Sequence, residues 1–113
     1  MKKIMAAVVL MVLLILPAVT FASGITVNRI WGDTRYETAV EISKSGWTSS
    51  STVYLATGEN YADALAGAPL AYHHNAPILL TNTNSLNQAA KGEIIRLNAS
   101  KVVILGGPVA VAP

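Results

Sequence analysis

The chain has 113 residues, 52% of them hydrophobic, no cysteine and a formal net charge of +2. That excess belongs wholly to Lys2 and Lys3, because six basic and six acidic side chains balance beyond residue 22. A phosphate-gripping basic stripe, disulfides, thiolate metal sites and a thiol nucleophile are thereby excluded, and no nucleic-acid partner is expected.

Met1-Lys2-Lys3 precedes an uncharged stretch from Ile4 to Ala22 whose core, IMAAVVLMVLLIL, carries no polar side chain. Two bases, an apolar core, the helix-breaking Pro17, and small Thr20 and Ala22 at positions −3 and −1 have the form of a secretory signal peptide. Residues 1–22 are read as that peptide, with cleavage after Ala22. The rival reading is an uncleaved membrane anchor, since roughly 18 apolar residues can span a bilayer. Residues 23–113 suffice for one small domain and not for two.

The domain opens with GITVNRI from Gly24, a candidate fourth strand, followed by a turn at Gly32-Asp33. Thr34 and Glu37 fit a capping box, and Tyr36, Ala39, Val40 and Ser43 recur with helical spacing. Gly46 is the expected stop, with Trp47 folding back. TVYLAT from Thr52 is the next strand, apolar almost throughout. NYADALAGAPLAYHH is then a helix crowded with Ala and Gly, able to lie close to a sheet, with Pro69 expected to kink or shorten it. PILLT from Pro77 is a strand. A third helix is expected from about Ser85 to Leu97, with Leu86, Ala89, Ala90, Ile94 and Leu97 as its apolar stripe and Lys91, Glu93 and Arg96 facing water. KVVILGG from Lys101 is the last strand.

Strands apolar on both faces and about 25 residues apart indicate a parallel sheet covered by helices. The expected fold is α/β, an open, mainly parallel sheet of three to four strands in βαβαβαβ order with flanking helices, Rossmann-like in layering. Another helix would be expected after LGGPVAV, so residues 23–113 read as a domain truncated at its C-terminus.

In such a sheet ligands bind beyond the carboxyl ends of the strands, where this chain places TGENYAD, TNTNSLN and LGGP. Small polar residues and Gly there are also what tight turns and helix caps require. Neither GxGxxG nor GxxxxGK[ST] occurs, and Pro108 removes an amide that could have cradled phosphate. His73 and His74 are adjacent, so on a helix they point about 100° apart and cannot chelate one ion from one face. Glu59 and Asp63 share one loop-to-helix turn, and Asp63 is explained by the helix dipole. No catalytic residue, metal site or cofactor is expected. Arg35 is disfavoured on a first helical turn, so it calls for an anion, either Asp33 within the chain, which is the favoured reading, or an external group.

RIWGDTRYETAVEIS, VYLATGENYADALAGAPLA, APILLTN and KVVILGGPVAV together resemble, in order and spacing, the signature segments of the type 2 cell-wall-binding repeat of Gram-positive surface proteins. The resemblance covers about residues 28–111 as a single repeat. It implies a module that attaches secreted proteins noncovalently to the wall through an anionic polymer, a teichoic-acid-like or phosphate-bearing polysaccharide. It also implies three repeats packed around a pseudo-threefold axis, here supplied by a homotrimer or by other repeats. The matched positions are Gly32, Asp33, Arg35, Tyr36 and Thr38; Gly58, Asn60, Ala62, Asp63 and Leu65; Pro77, Ile78, Leu79 and Leu80; and Gly106 and Gly107. Most read as structural. Arg35, Asn60, Asn82 and Asn84 are the positions expected to touch ligand. The leading expectation is a secreted wall-binding domain at the cell surface. The alternatives are the targeting fragment of a larger wall hydrolase, such as an amidase, or adhesin, and a membrane-anchored subunit.

Overall fold

The computed structural model describes residues 23–113, so the signal-peptide reading of residues 1–22 lies outside the described residues. The elements are α1 (Arg35–Gly46), β1 (Thr52–Thr57), α2 (Ala62–His73), β2 (Ile78–Thr81), α3 (Gln88–Arg96) and β3 (Lys101–Ile104).

Local chemistry explains the helix boundaries. At the head of α1 the Thr34 hydroxyl accepts the Tyr36 amide at 3.2 Å, and Glu37 Oε2 accepts the Thr34 amide at 3.1 Å, completing the capping box. At its foot the Trp47 amide returns to the Ser43 carbonyl at 2.8 Å as the backbone becomes extended. Helix α2 runs on to His73 although Pro69 lies inside it. The carbonyl left without an amide is that of Leu65, an exposed residue, so water can satisfy it and the helix continues. Helix α3 starts at Gln88, later than expected, because Asn87 takes the cap: its Oδ1 accepts the Ala89 amide at 2.9 Å. Leu86 thereby falls outside the helix and is substantially exposed.

The three strands are parallel in the order β2-β1-β3, with Leu55 beside both Leu79 and Ile104. Side-chain alternation divides the core. Val53, Leu55 and Leu79 meet Val40 of α1 and Ala90 of α3, together with Leu97, on one face. Tyr54 meets Ala71 of α2 and Ala76 on the other. Helix α2 approaches closely because residue 67 is glycine: a Cβ there would collide with the Leu105 side chain. The sheet therefore has helices on both faces, as expected.

Three sequence-based expectations fail. Residues 24–30 form no strand, so the described order is αβαβαβ with three strands, and Ile25 and Val27 are 91% and 86% exposed. Strand β3 is not buried on both faces. Val102 and Ile104 stand beside Val53 and Leu55 yet remain 41% and 49% exposed, because no described helix extends over that edge of the sheet. Glu93 does not face water. It is buried, where its carboxylate accepts the Ser43 hydroxyl at 2.7 Å and two Arg96 N–H groups at 2.6 and 2.8 Å.

Candidate functional site

The crossover from β1 to β2 uses α2 on one face, and that from β2 to β3 uses α3 on the other. The chain thus changes direction at β1, and a crevice between the loops after β1 and β3 follows at the carboxyl ends.

Most of the expected signature residues build the walls of this region. The Gly32 amide donates to Thr38 Oγ1 at 3.0 Å, and the Thr38 hydroxyl donates to the Thr34 carbonyl at 2.9 Å, tying the incoming chain to α1. A side chain at Gly32 would strike Glu37. Tyr36 lays its ring over Gly58, where an added Cβ would come within 2.5 Å of Cε1, and its hydroxyl accepts Asn82 Nδ2 at 3.1 Å. The Gly58 amide donates to the Thr81 carbonyl at 2.8 Å, joining the β1 and β2 loops. Pro77 is buried, and its carbonyl takes the Tyr54 amide at 3.0 Å. Ile78, Leu79 and Leu80 are β2 itself, with Leu79 fully enclosed. Gly106 has φ +102°, a left-handed conformation, and sits against the Asp63 carboxylate at the start of α2. The Gly107 carbonyl closes the final turn by accepting the Ala110 amide at 2.9 Å.

Arg35 departs from the favoured pairing with Asp33. Its Nη1 instead donates to the Gly58 carbonyl at 2.5 Å, and it makes no ion pair among the described residues. Asp33 is exposed in the turn before α1, whereas Arg35 reaches toward the β1 loop. The guanidinium carries five N–H donors in a planar fork, and a single neutral carbonyl leaves most of them available.

The four expected ligand-contact residues are not gathered into one place. Arg35 and Asn60 share a cleft of about 500 Å³ with Gly58, Tyr61 and Leu80. Asn60 also borders a second cleft of about 450 Å³, between the β1 and β3 loops, with Asp63, Thr83 and Gly107. Asn82 and Asn84 line a third, of about 290 Å³, with Ser85 and Val111. Two of these amides already have internal work. Asn60 Oδ1 accepts the Ala62 amide at 2.9 Å at the head of α2, and Asn82 holds Tyr36. Asn84 is exposed.

Sequence reasoning missed the lacing between the loops. Glu59 Oε1 accepts the Thr83 amide at 3.0 Å, and Thr57 Oγ1 lies 3.3 Å from Thr83 Oγ1. No local pattern announces such contacts, since the partners are more than 20 residues apart. His74 is exposed and follows the last residue of α2, and its Nδ1 lies 2.5 Å from the hydroxyl of the buried Tyr54.

Open clefts at the carboxyl end of a small parallel α/β sheet, walled by glycine turns, have the form of a binding module. The family model described as cell wall binding domain 2 (CWB2) matches residues 29–113, and the chain belongs to that family. It is 41% identical over 99 residues to the N-acetylmuramoyl-L-alanine amidase LytC of Bacillus subtilis, covering 88% of this chain and 20% of the amidase. It is 38% identical over 80 residues to the amidase enhancer of the same species, covering 71% of this chain and 11% of that protein. Among solved structures it resembles Cwp6 from Clostridium difficile, with a TM-score of 0.71, 38% identity, and coverage of 82% of this chain and 16% of that one. Cwp8 from the same species gives a TM-score of 0.72 at 36% identity, with 79% and 16% coverage. The chain thus spans about a fifth or less of the length of these relatives. Residues 29–113 are thus a cell wall binding domain.

Proposed function

We propose that the wall component bound is an anionic polysaccharide, teichoic-acid-like or otherwise phosphate-bearing, and that Arg35 and Asn60 take it at the carboxyl-end clefts. The observation that carries this reading is the state of Arg35. A cation is disfavoured at a helix N-terminus, and this one lines an open cleft and, among the described residues, is anchored only by the Gly58 carbonyl. An external phosphate or carboxylate would supply the missing countercharge, bound bidentately by the guanidinium. Asn82 and Asn84, around the corner, would add hydrogen bonds to a chain of sugars running along the rim. Purified protein should sediment with wall sacculi and should lose most of that retention once anionic polymers are stripped from them. Equal retention on stripped and native sacculi would overturn the proposal.

Residues 1–22 would direct export, and the product would be secreted to the cell surface. The half-exposed Val102 and Ile104 on β3 support packing against further repeats, or against two other copies in a homotrimer. Three binding modules in one assembly would gain avidity without any new contact. Light scattering on the exported protein tests this, and a monomer at all accessible concentrations would sink the homotrimer. The chain's small share of the amidase's length supports a second reading, the targeting part of a larger wall hydrolase or adhesin. An in-frame continuation encoding further repeats would favour it.

A further inference from the structure

Away from the carboxyl-end clefts, Arg29, Ile30 and Trp31 pass beside α1 and, with Glu41, Lys44 and Ser45, line an open groove of about 410 Å³. None of these residues borders the three clefts described above. The chain has two tryptophans, and they are treated differently. Trp47 packs against the core and donates its indole N–H to the Asn75 carbonyl at 2.9 Å. Trp31 is 63% exposed, and its indole N–H has no acceptor among the described residues. Arg29 makes no hydrogen bond or ion pair there either, while Lys44 is held 2.8 Å from Glu41 at the surface. Among the described residues the groove therefore offers a broad apolar ring with a free N–H and an uncommitted guanidinium, beside an ammonium already paired with one carboxylate.

These groups match one chemical class. The C–H face of a pyranose lies flat on an indole, its hydroxyls take the ring N–H, and an acidic substituent at the ring edge pairs with the guanidinium. A pocket of this size accommodates a mono- or disaccharide unit. We propose that the Trp31 groove is a second subsite, which binds one acidic sugar unit of the wall polymer independently of the Arg35 cleft. The proposal rests on the anionic-polysaccharide reading above. A polymer spanning both subsites would be held at two points, so the second contact is made at high effective concentration.

Intrinsic fluorescence tests it, because Trp31 is the exposed emitter. The protein is titrated with the anionic polymer fraction released from sacculi by mild acid, with the neutral glycan fraction of the same extract, and with phosphatidylglycerol vesicles. Retention on intact sacculi is measured in parallel. The expected result is a saturable emission change with the anionic fraction, absent in Trp31→Phe and shifted to about tenfold higher concentration in Arg29→Gln. Both side chains are exposed, and unchanged far-UV circular dichroism confirms that the variants fold. Retention on sacculi with a silent Trp31 would overturn the subsite and leave the wall-polymer reading standing. A response to vesicles but not to the polymer would also overturn it, identifying the groove as a lipid contact. No retention on intact sacculi together with no emission change for any titrant would overturn both readings together.

Discussion

Ser43 of α1 donates its hydroxyl to Glu93 Oε1 of α3 across 2.7 Å, and both residues are almost completely withdrawn from water. Arg96 completes the arrangement from the rim, donating to both carboxylate oxygens and to the Trp47 carbonyl at 2.8 Å. One carboxylate thus locks the two helices that share a face of the sheet to each other and to the end of α1. Replacing Glu93 with Ala strands a buried hydroxyl and removes the partner of Arg96. Because Arg96 is about one third exposed, water recovers part of the loss. The expected cost is about 2 kcal/mol, read as a lower urea midpoint with an unchanged slope.

The same group gives a pH dependence. Burial pushes the Glu93 carboxyl up, but hydrogen bonds from Arg96 and Ser43 outweigh it and hold the group below its ordinary value of 4.5. Its folded value is therefore lower than its unfolded value, so its stabilisation is complete above about 4.5 and is lost as pH falls through the folded value. Glu37 contributes in the same sense, lowered by its hydrogen bond with the Thr34 side chain. Thermal melts between neutrality and pH 3 should show midpoints that drop only in the acid range. In Glu93→Gln that drop should be visibly shallower.

Gly58 has no room for a methyl group beneath the Tyr36 ring. Gly58→Ala should displace the ring, break its contact with Asn82 and cost about 1–3 kcal/mol. Tyr36→Phe keeps the ring and loses only the hydrogen bond, so it should cost about 1 kcal/mol. Chemical denaturation of the two variants checks the order; a costlier phenylalanine variant would contradict the packing account.

Asn87 caps α3 and also donates its backbone amide to Thr81 Oγ1 at 2.9 Å, fixing where β2 ends and the helix begins. Asn87→Ala should lose about 1 kcal/mol, as should Thr34→Ala at the head of α1. The two caps lie on different helices and share no partner, so the double variant should lose about the sum. Equilibrium unfolding of the three variants measures it.

Arg35→Gln retains a donor for the Gly58 carbonyl and removes the charge. Its stability should change by less than about 1 kcal/mol. Affinity for sacculi should fall about tenfold at low salt, and the difference from the unaltered protein should narrow as salt screens the charge. Sedimentation at two ionic strengths reads both effects.

Elements governed by near neighbours were legible in the sequence. The Thr34–Glu37 box, the stop near Gly46, the starts of TVYLAT and KVVILGG and the small-residue face of α2 each follow from side chains within a few positions of one another. Gly32 in a turn and Tyr36 on a helix were legible locally, whereas Gly58 and Gly106 were singled out through family resemblance. Their reasons appear in contacts such as Tyr36 over Gly58, 22 positions apart.

What the sequence by itself determined is a parallel α/β sheet, the capping box of α1 and the lack of any cysteine chemistry, because propensity, capping and hydrophobic period are local properties. The tertiary structure decided which apolar run goes uncovered, which charge goes inside and what Arg35 holds. Val102 and Ile104 are as apolar as Val53 and Leu55, but no described helix extends over them. Glu93 is buried because Ser43 and Arg96 meet it there. Arg35 prefers the carbonyl of Gly58 to the nearby Asp33 because the fold brings the β1 loop under the first turn of α1. Each outcome depends on the mutual approach of elements distant in the chain, which no local pattern encodes.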